Sequence, residues 1–224
     1  RMEGVVVTKK GDIFIADYES LVVRKITKST GIITTIAGKP NWKGDSGDGG
    51  PAIDAKLNYP WGLYFDEPTG SLYIADTQNH RIRMIDSEGK ISTVAGTGDM
   101  GDGGDGGLAT EANLSNPKGV AVNIKGELFI LDSDNIRVRK VGKDNKISTV
   151  AGNGGYEAHV EGAEATKSPM FYPEGLAVNS AGEIFVTTTD DDARSTVLKV
   201  GTDGRIRKFA GNGQRGNSGD GGPA

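Results

Sequence analysis

The feature that most constrains the fold of this chain is a tandem repeat with a near-constant period. The phrase TIAG at 35–38 returns as TVAG at 93–96 and 149–152, and more loosely as KFAG at 208–211, in steps of 58, 56 and 59 residues. A second phrase, LNYPWG at 57–62, returns as LSNPKG at 114–119 and MFYPEG at 170–175, in steps of 57 and 56 residues. Two independent markers therefore agree on a period that is typical of propellers, solenoids or arrays.

Each repeat contains four short segments of alternating or β-branched residues separated by turn residues, which is a strand pattern. In the second repeat these segments are 62–65, 71–75, 81–85 and 90–95. Four antiparallel strands make one propeller blade. We therefore predict an all-β chain that forms a single β-propeller domain or segment over 1–224, possessing four-stranded antiparallel blades at about 1–52, 53–109, 110–165 and 166–224.

A glycine-rich connection follows the fourth strand of each repeat. It reads GDGGPA at 47–52, GDGGLA at 104–109 and GDGGPA at 219–224, and it has diverged to VEGAEA at 160–165. Glycine permits the positive φ angles of tight backbone paths. Downstream, Ala52, Ala55 and Leu57 have the spacing of one helical turn that buries the leucine before a proline.

Charge and composition exclude several function classes. The net charge of -4 does not favour nucleic acid or an anionic membrane as partner. With no cysteine in the chain, disulfides and thiolate metal sites are excluded, and no apolar run reaches the length of a membrane span, so membrane insertion is not expected. The repeat phase at the two ends suggests a segment of a longer array.

The sequence GSLYIADTQNHRIR at 70–83, with KISTVAG at 90–96 and GDGGPA at 47–52, resembles the NHL-repeat family of β-propellers. The resemblance covers essentially the whole chain and is most specific in the second repeat. It implies a toroid that usually has six blades, whereas this chain shows four. The fourth repeat lacks the aspartate and the Asn-His pair of the motif, so the blades differ in chemistry.

Some propellers of similar sequence are enzymes, so an enzyme is one alternative. The amidating lyases hold zinc with several histidines, but this chain has only His80 and His159, at different repeat positions, and the zinc arrangement cannot form here. The lactonase-like propellers hold calcium with Asn, Asp and Glu in the central tunnel, and this chain is rich in those residues. A calcium-dependent lactonase- or lyase-like enzyme, and an RNA-binding NHL module, remain alternatives to the interpretation below.

Calcium is also the candidate ligand of an aspartate-rich loop. Asp99, Asp102 and Asp105 supply hard oxygen ligands between glycines, although their spacing is not that of an EF-hand. The same hypothesis applies to 190–192, and the competing interpretation of both segments is a solvated loop. No other cofactor is expected.

Two hypotheses concern polar residues of the blades. The pairs Asp76 with Arg81 and Asp132 with Arg137 have the same five-residue spacing across a strand connection, which suggests partly exposed ion pairs worth at most about 1 kcal/mol. His80 lies between the second and third strands, where we expect a structural or surface role.

The function that we predict is a non-enzymatic structural or binding scaffold, which presents its interblade loops to a protein partner or to further copies of itself, in an oligomer or filament. Loops on a rigid framework carry recognition, and Trp and Tyr are favoured interface anchors. No nucleic acid partner is expected, and the expected setting is extracellular or the cell surface. The candidate binding residues lie in the most divergent loops: Trp42, Tyr156, His159, Asp190, Asp191, Asp192 and Arg194.

Overall fold

The computed structural model describes residues 1–216, 222 and 224, and it contains four sheets of four antiparallel strands in chain order. These sheets are the blades of a β-propeller. Each predicted strand is present, and its ends lie within three residues of the prediction. The blades comprise β1 Met2–Val7, β2 Ile13–Asp17, β3 Val22–Ile26 and β4 Ile33–Ala37; β5 Pro60–Asp66, β6 Ser71–Asp76, β7 Arg81–Ile85 and β8 Ile91–Ala95; β9 Gly119–Val122, β10 Leu128–Asp132, β11 Arg137–Val141 and β12 Ile147–Ala151; and β13 Tyr172–Val178, β14 Ile184–Thr189, β15 Ser195–Val200 and β16 Ile206–Ala210.

All four blades share an irregularity between their third and fourth strands. The register shifts at Val23/Arg24, and the same shift recurs at Ile82/Arg83, Val138/Arg139 and Val197/Leu198. A β-bulge increases the local twist of a strand and redirects the adjacent side chain. The position that follows the bulge holds an arginine in blades 1, 2 and 3 and a leucine in blade 4.

The hydrophobic core lies between the blades. Each of the three clusters joins one face of a blade to the opposite face of the next: blade 1 to blade 2 around Phe14 and Ile74, blade 2 to blade 3 around Ile82 and Ile130, and blade 3 to blade 4 around Leu131. Because both faces are covered, the central strand β10 is buried along its whole length and is apolar up to Asp132. A blade therefore needs a neighbour on each side to bury both faces.

The innermost strands β1, β5, β9 and β13 contact one another in series around the axis. Glycine allows this close approach. A Cβ atom on Gly4 would lie 2.1 Å from the backbone oxygen of Trp61, and one on Gly62 would lie 2.3 Å from that of Lys118. Both separations are shorter than van der Waals contact, so the repeated glycine at the start of the inner strand is required by packing.

The predicted helical turn in each connection is confirmed as a short 3-10 helix, at Ala52–Asp54, Ala109–Glu111 and Ala165–Lys167. Leu57 and Leu114 are fully buried after these turns, as their spacing predicts. The last connection, GDGGPA at 219–224, lies outside the described residues except for positions 222 and 224. In the described part of the chain, no helix is long and apolar enough to cross a membrane.

The first and last blades each have one face that is more exposed than its counterparts. Val5 and Val7 of β1 are 65% and 60% exposed, whereas Val120 and Val122, at the same positions of β9, are each 5% exposed. On blade 4, Phe209 is 52% exposed beside Phe185, with their ring centroids 5.0 Å apart. An apolar sheet face is thus accessible on each of these two blades.

Candidate interaction surfaces

Each of the first three connections crosses from its own blade to the outer edge of the next one. In the first connection, the N–H of Gly49 donates to the carbonyl of Ile91, and the N–H of Ile91 donates to the carbonyl of Gly50. The same pair of backbone hydrogen bonds joins the second connection to Ile147 and the third to Ile206. The connection therefore covers the outermost strand of the following blade, where an unpaired edge would otherwise face solvent.

A buried arginine fastens the first two connections to the blade that receives them. Arg83 is fully buried, and its Nε and Nη2 donate to Oδ1 of Asp48 at 3.1 and 2.6 Å. The other carboxylate oxygen of Asp48 accepts the N–H of Thr93 at 3.1 Å. Arg139, Asp105 and Thr149 repeat this arrangement in the next blade, so the GDGG phrase supplies an arginine partner as well as a tight turn.

On its inner side, each buried arginine faces a second aspartate that is shielded from solvent. Nη1 of Arg83 lies 3.4 Å from Oδ2 of Asp76, and Nη1 of Arg139 lies 3.3 Å from Oδ2 of Asp132. Burial raises the pKa of both Asp76 and Asp132 to about 6, although the arginines and nearby amide donors favour the charged form. Asp76 and Asp132 are thus buried partners of the two arginines within the blades.

The ion pairs expected from the five-residue spacing are therefore wrong in their partners and in their exposure. Asp76 and Arg81 face each other in the strand register, but the side chain of Arg81 binds Asp45 of the preceding connection, while Asp76 binds Arg83. Arg137 likewise binds Asp102, at 2.5 Å. The register shift that follows Ile82 directs the next arginine inward, toward the buried carboxylate.

The aspartate-rich loop is arranged around arginines. Asp102 and Asp105 bind Arg137 and Arg139, and the hydrogen bond from Arg137 lowers the pKa of Asp102. Asp99 instead contributes its backbone N–H to the Thr97 hydroxyl, so these three carboxylates are not brought together. Within the described ranges, no group of three or more His, Asp or Glu side chains is placed to hold a metal ion. The segment 190–192 is subject to the same finding.

An aromatic cluster, formed by Tyr18, Tyr59 and Trp61, lies where the chain leaves β2 and where the first connection leads into β5. The ring centroids of Tyr18 and Tyr59 are 4.6 Å apart, and those of Tyr18 and Trp61 are 5.3 Å apart with the rings nearly perpendicular. All three side chains are partly exposed. The cluster brings together two segments that belong to neighbouring blades.

Cationic side chains surround the aromatic cluster. Nζ of Lys118 lies 5.0 Å from the centroid of the Trp61 ring, and Nζ of Lys43 lies 4.5 Å from that of Tyr59. Cζ of Arg1 lies 5.5 Å from the Trp61 centroid. These distances are within the range of cation–π attraction, worth about 0.5–2 kcal/mol for each pair.

Trp42, which the sequence suggests as a binding residue, lies in the same connection as Lys43. It is 63% exposed, and Nζ of Lys56 lies 5.6 Å from the centroid of its ring. A tryptophan with this exposure leaves a large apolar surface in solvent, as an interface anchor requires. Trp42 therefore extends the aromatic and cationic character of the first connection.

Tyr156 and the segment 190–192 of blade 4, which are far apart in sequence, meet through Tyr172. The ring centroids of Tyr156 and Tyr172 are 5.1 Å apart, and both side chains are about half exposed. The charge of Asp191 and its hydrogen bond raise the pKa of Tyr172. The structure thus joins two of the predicted binding segments into one small surface.

The other predicted binding residues are held by local ion pairs or hydrogen bonds. Arg194 bridges Asp190 and Asp192, with Nε and Nη2 lying 2.7 and 3.0 Å from their carboxylates. His159 lies 3.0 Å from Glu161, in the third connection, and Glu161 accepts the N–H of Lys208 in β16. His159 and Glu161 therefore lie in the third connection, whose sequence has diverged from GDGG, at the place where it contacts blade 4.

His80 has the structural role that we expect. It follows a short 3-10 helix with φ of 51°, and its Nδ1 accepts the N–H of Asn116 from the next connection at 3.1 Å. Burial lowers its pKa, which favours the neutral ring that this hydrogen bond needs. The histidine links one blade to the chain segment that begins the next.

Reasoning from sequence missed the aromatic cluster and the buried arginines. Tyr59 and Trp61 flank Pro60 in one of the repeat phrases, where the other repeats hold Asn116 and Lys118 or Tyr172 and Glu174. That departure from the repeat was a usable signal. In the sequence, Arg83 is only one of the basic residues that alternate along a strand, and this pattern does not indicate that its side chain is buried.

These features define the class of the protein, which is an NHL-type β-propeller. The family model for the teneurin NHL domain matches residues 38–102 and 97–161, more than half of the chain. The chain belongs to the NHL-repeat family.

Curated relatives are found among several kinds of protein. The chain is 32% identical over 144 residues to human NHL repeat-containing protein 2, which covers 62% of this chain and 20% of that protein. It is 31% identical over 184 residues to Teneurin-m of Drosophila melanogaster, which covers 77% of this chain and 6% of that protein. A third relative is the chloroplastic Arabidopsis thaliana protein SUPPRESSOR OF QUENCHING 1, 32% identical over 149 residues, which cover 62% of this chain and 14% of that protein. The chain spans a fifth or less of these relatives.

Solved structures show the same fold in proteins with different activities. Virginiamycin B lyase from Staphylococcus aureus superposes with a TM-score of 0.57 at 17% identity, covering 93% of this chain and 55% of the lyase. A chain of the nidogen/laminin complex superposes with a TM-score of 0.62 at 15% identity, covering 94% of this chain and 65% of that one. At these identities, the likeness shows the propeller fold alone.

Proposed function

We propose that this propeller is a non-enzymatic scaffold that binds a protein partner through the aromatic cluster and the first connection. The observation that carries the proposal is the clustering of Tyr18, Tyr59 and Trp61 under cationic side chains, with Trp42 exposed nearby. Aromatic residues are enriched at protein interfaces.

The rigidity of the framework supports this function. The inner strand that carries Trp61 is fixed by the glycine contact between blades, and the connection that carries Trp42 is pinned to blade 2 by Arg83. Neither aromatic side chain therefore needs a backbone rearrangement to meet a partner. A preorganised surface loses less conformational entropy on binding than a mobile one.

The charge of this surface indicates the chemistry of its partner. Lys43, Lys56 and Lys118 all lie near aromatic rings, on a chain whose net charge is -4. A locally positive surface on a protein of negative net charge attracts an acidic partner segment more strongly than the rest of that protein's surface does. We infer a partner segment that carries several carboxylates and at least one aromatic side chain.

The two tryptophans of the chain provide the test, because both belong to this region. The wild-type chain is titrated with an acidic peptide containing phenylalanine while tryptophan fluorescence is recorded, at low and at physiological salt. We expect saturable binding that weakens with salt, and a loss of at least tenfold in affinity for the Lys118→Glu variant. Lys125→Glu, on the β9–β10 turn, is the matched control. An absence of saturable binding at millimolar peptide, or equal binding by Lys118→Glu and wild type, would overturn the proposal.

A further copy of this chain is the second candidate partner of the scaffold. The exposed apolar faces of blades 1 and 4 support such self-association. Such contacts run from the end of one copy to the start of the next. The extracellular or cell-surface setting also belongs to this proposal.

A further inference from the structure

The tyrosine pair formed by Tyr156 and Tyr172 takes the place in the repeat that the aromatic cluster takes two blades earlier. Tyr172 corresponds to Tyr59, because the phrase LNYPWG recurs as MFYPEG. Each of these tyrosines lies at the start of an inner strand and contacts a second tyrosine ring. The inner strands of all blades begin at the same end of a propeller. The two aromatic surfaces therefore lie at one end of the molecule.

The charges at equivalent positions around these two surfaces are opposite. In the aromatic cluster, the rings are approached by Lys43 and Lys118. Counted from the glycine that follows each fourth strand, the position of Lys43 holds Glu157 in the third connection, directly after Tyr156. The position of Lys118 holds Glu174, two residues after the second tyrosine of the pair. Both glutamates are exposed. Repeat positions that supply cations to the aromatic cluster thus supply carboxylates beside the tyrosine pair.

A third carboxylate interacts with the pair directly. The charge of Asp191 raises the pKa of Tyr172, and its carboxylate also accepts a hydrogen bond from the tyrosine hydroxyl. The arginine of the same loop is engaged elsewhere, because Arg194 binds Asp190 and Asp192 at 2.7 and 3.0 Å. Within the described residues, Asp191 and the two glutamates form no ion pair. Their negative charge is therefore available to a partner.

The rings of the tyrosine pair are accessible to a cation. Tyr156 and Tyr172 are 52% and 46% exposed, and their rings are inclined at 52°, so they form a corner rather than a closed stack. Trp42, Tyr59 and Trp61 each have a lysine Nζ close to the ring, at 5.6, 4.5 and 5.0 Å from the centroid. Among the described residues, no cationic side chain lies over the tyrosine pair. A cation within about 6 Å of a tyrosine centroid is attracted to the ring face.

We propose that Tyr156, Tyr172 and Asp191 form a binding site for an arginine side chain in a basic segment of a partner protein. Arginine fits this site better than lysine, because its planar guanidinium stacks on an aromatic ring while its N–H groups donate to a carboxylate. Glu157 and Glu174 attract further basic residues on the same segment.

This site goes beyond the proposed function and does not depend on it. It belongs to the third connection and blade 4, whereas the aromatic cluster belongs to blades 1 and 2. The two sites select partners of opposite charge. A scaffold with both sites at one end can hold an acidic segment and a basic segment side by side.

The test uses the full chain and a fluorescein-labelled peptide of alternating glycine and arginine, with binding followed by fluorescence anisotropy at low and at physiological salt. We expect saturable binding that weakens with salt. Tyr172→Leu and Asp191→Asn should each lose about fivefold in affinity, because they remove the ring and the charge. Tyr172→Phe keeps the ring and should bind like wild type. Glu111→Gln, an equal charge change at an exposed position of the second connection, is the matched control.

Circular dichroism of each variant guards against a folding defect, and Asp191→Asn alters only an exposed loop. An absence of saturable binding at millimolar peptide would overturn the proposal, and so would wild-type affinity in a folded Asp191→Asn variant. An equal loss in Glu111→Gln would show unspecific charge attraction and overturn it too. A glycine–lysine peptide that binds as tightly would overturn the choice of arginine. Acidic-peptide binding at the aromatic cluster should be unchanged in Tyr172→Leu, so either site can fail while the other holds.

Discussion

Arg139 offers the sharpest test of how the blades are held together. It is fully buried and makes six hydrogen bonds, to Asp105, Asp132 and three backbone carbonyls of the second connection. Replacement by leucine keeps the apolar part of the side chain and removes all six. Blade 4 shows that the fold accepts this residue, because Leu198 takes the same position there, with Thr188 in place of the aspartate.

The expected cost of Arg139→Leu follows from the aspartate that it leaves behind. Asp132 is fully buried, and breaking one side of a buried ion pair costs about 3–5 kcal/mol because the remaining charge is uncompensated. Adding Asp132→Thr removes that charge. The double variant should then lose the bonds to Asp105 and to the three carbonyls, but it leaves no unpaired buried charge at position 132. Its cost should therefore be smaller than the sum of the costs of the two single variants.

The assay is urea unfolding followed by circular dichroism at pH 7.5 for wild type, the two single variants and the double variant. Arg207→Leu is the control, because Arg207 makes a comparable pair with Asp203 on an exposed surface. Exposed pairs contribute at most about 1 kcal/mol. A cost below about 1 kcal/mol for Arg139→Leu would refute the conclusion that Arg139 fastens the second connection to blade 3. Strictly additive costs of the single variants would refute the pairing of Arg139 with Asp132.

Two further predictions follow from the geometry. Gly62→Ala should destabilise the propeller by about 1–3 kcal/mol, because its Cβ would overlap the backbone oxygen of Lys118. The control Gly50→Ala should cost less, because a Cβ there meets nothing closer than 3.4 Å. Equal urea midpoints for the two variants would contradict this packing role of Gly62. Asp132 has a pKa of about 6 in the folded protein, compared with an ordinary value of 3.8. Its contribution to the free energy of unfolding is therefore most favourable below pH 4 and is lost as the pH rises through 6. Relative to Asp132→Asn, wild type should thus lose roughly 3 kcal/mol between pH 4 and 7, and a pH-independent difference between their free energies of unfolding would exclude this shift.

The sequence was sufficient to predict the strands and the blades because both depend on local patterns. Alternation within a strand and turn residues at its ends are short-range features, and the repeat multiplies each signal. The buried 3-10 turn before Leu57 was predictable for the same reason. These features need no knowledge of which blade lies beside which.

The joints could not be predicted because their partners come from different repeats. The spacing of Asp76 and Arg81 suggested a local pair, but Arg81 binds Asp45 from the connection before it, and Arg83 takes the inward position. A register shift of one residue decides which arginine points inward. Tyr18, Tyr59 and Trp61 likewise meet only after two blades pack together.

The crossing of each connection to the following blade has a consequence for how such a protein can grow. A unit of 56–59 residues carries both a segment that reaches forward and an edge that receives the one behind it. A unit that carries both a GDGG connection and a blade with the buried arginine can be duplicated without leaving either partner unpaired. Blade 4, with Leu198 in the arginine position, accepts only a connection that does not need this pair, such as the diverged one at 160–165. The order of the units therefore matters at this blade, while their length is nearly constant.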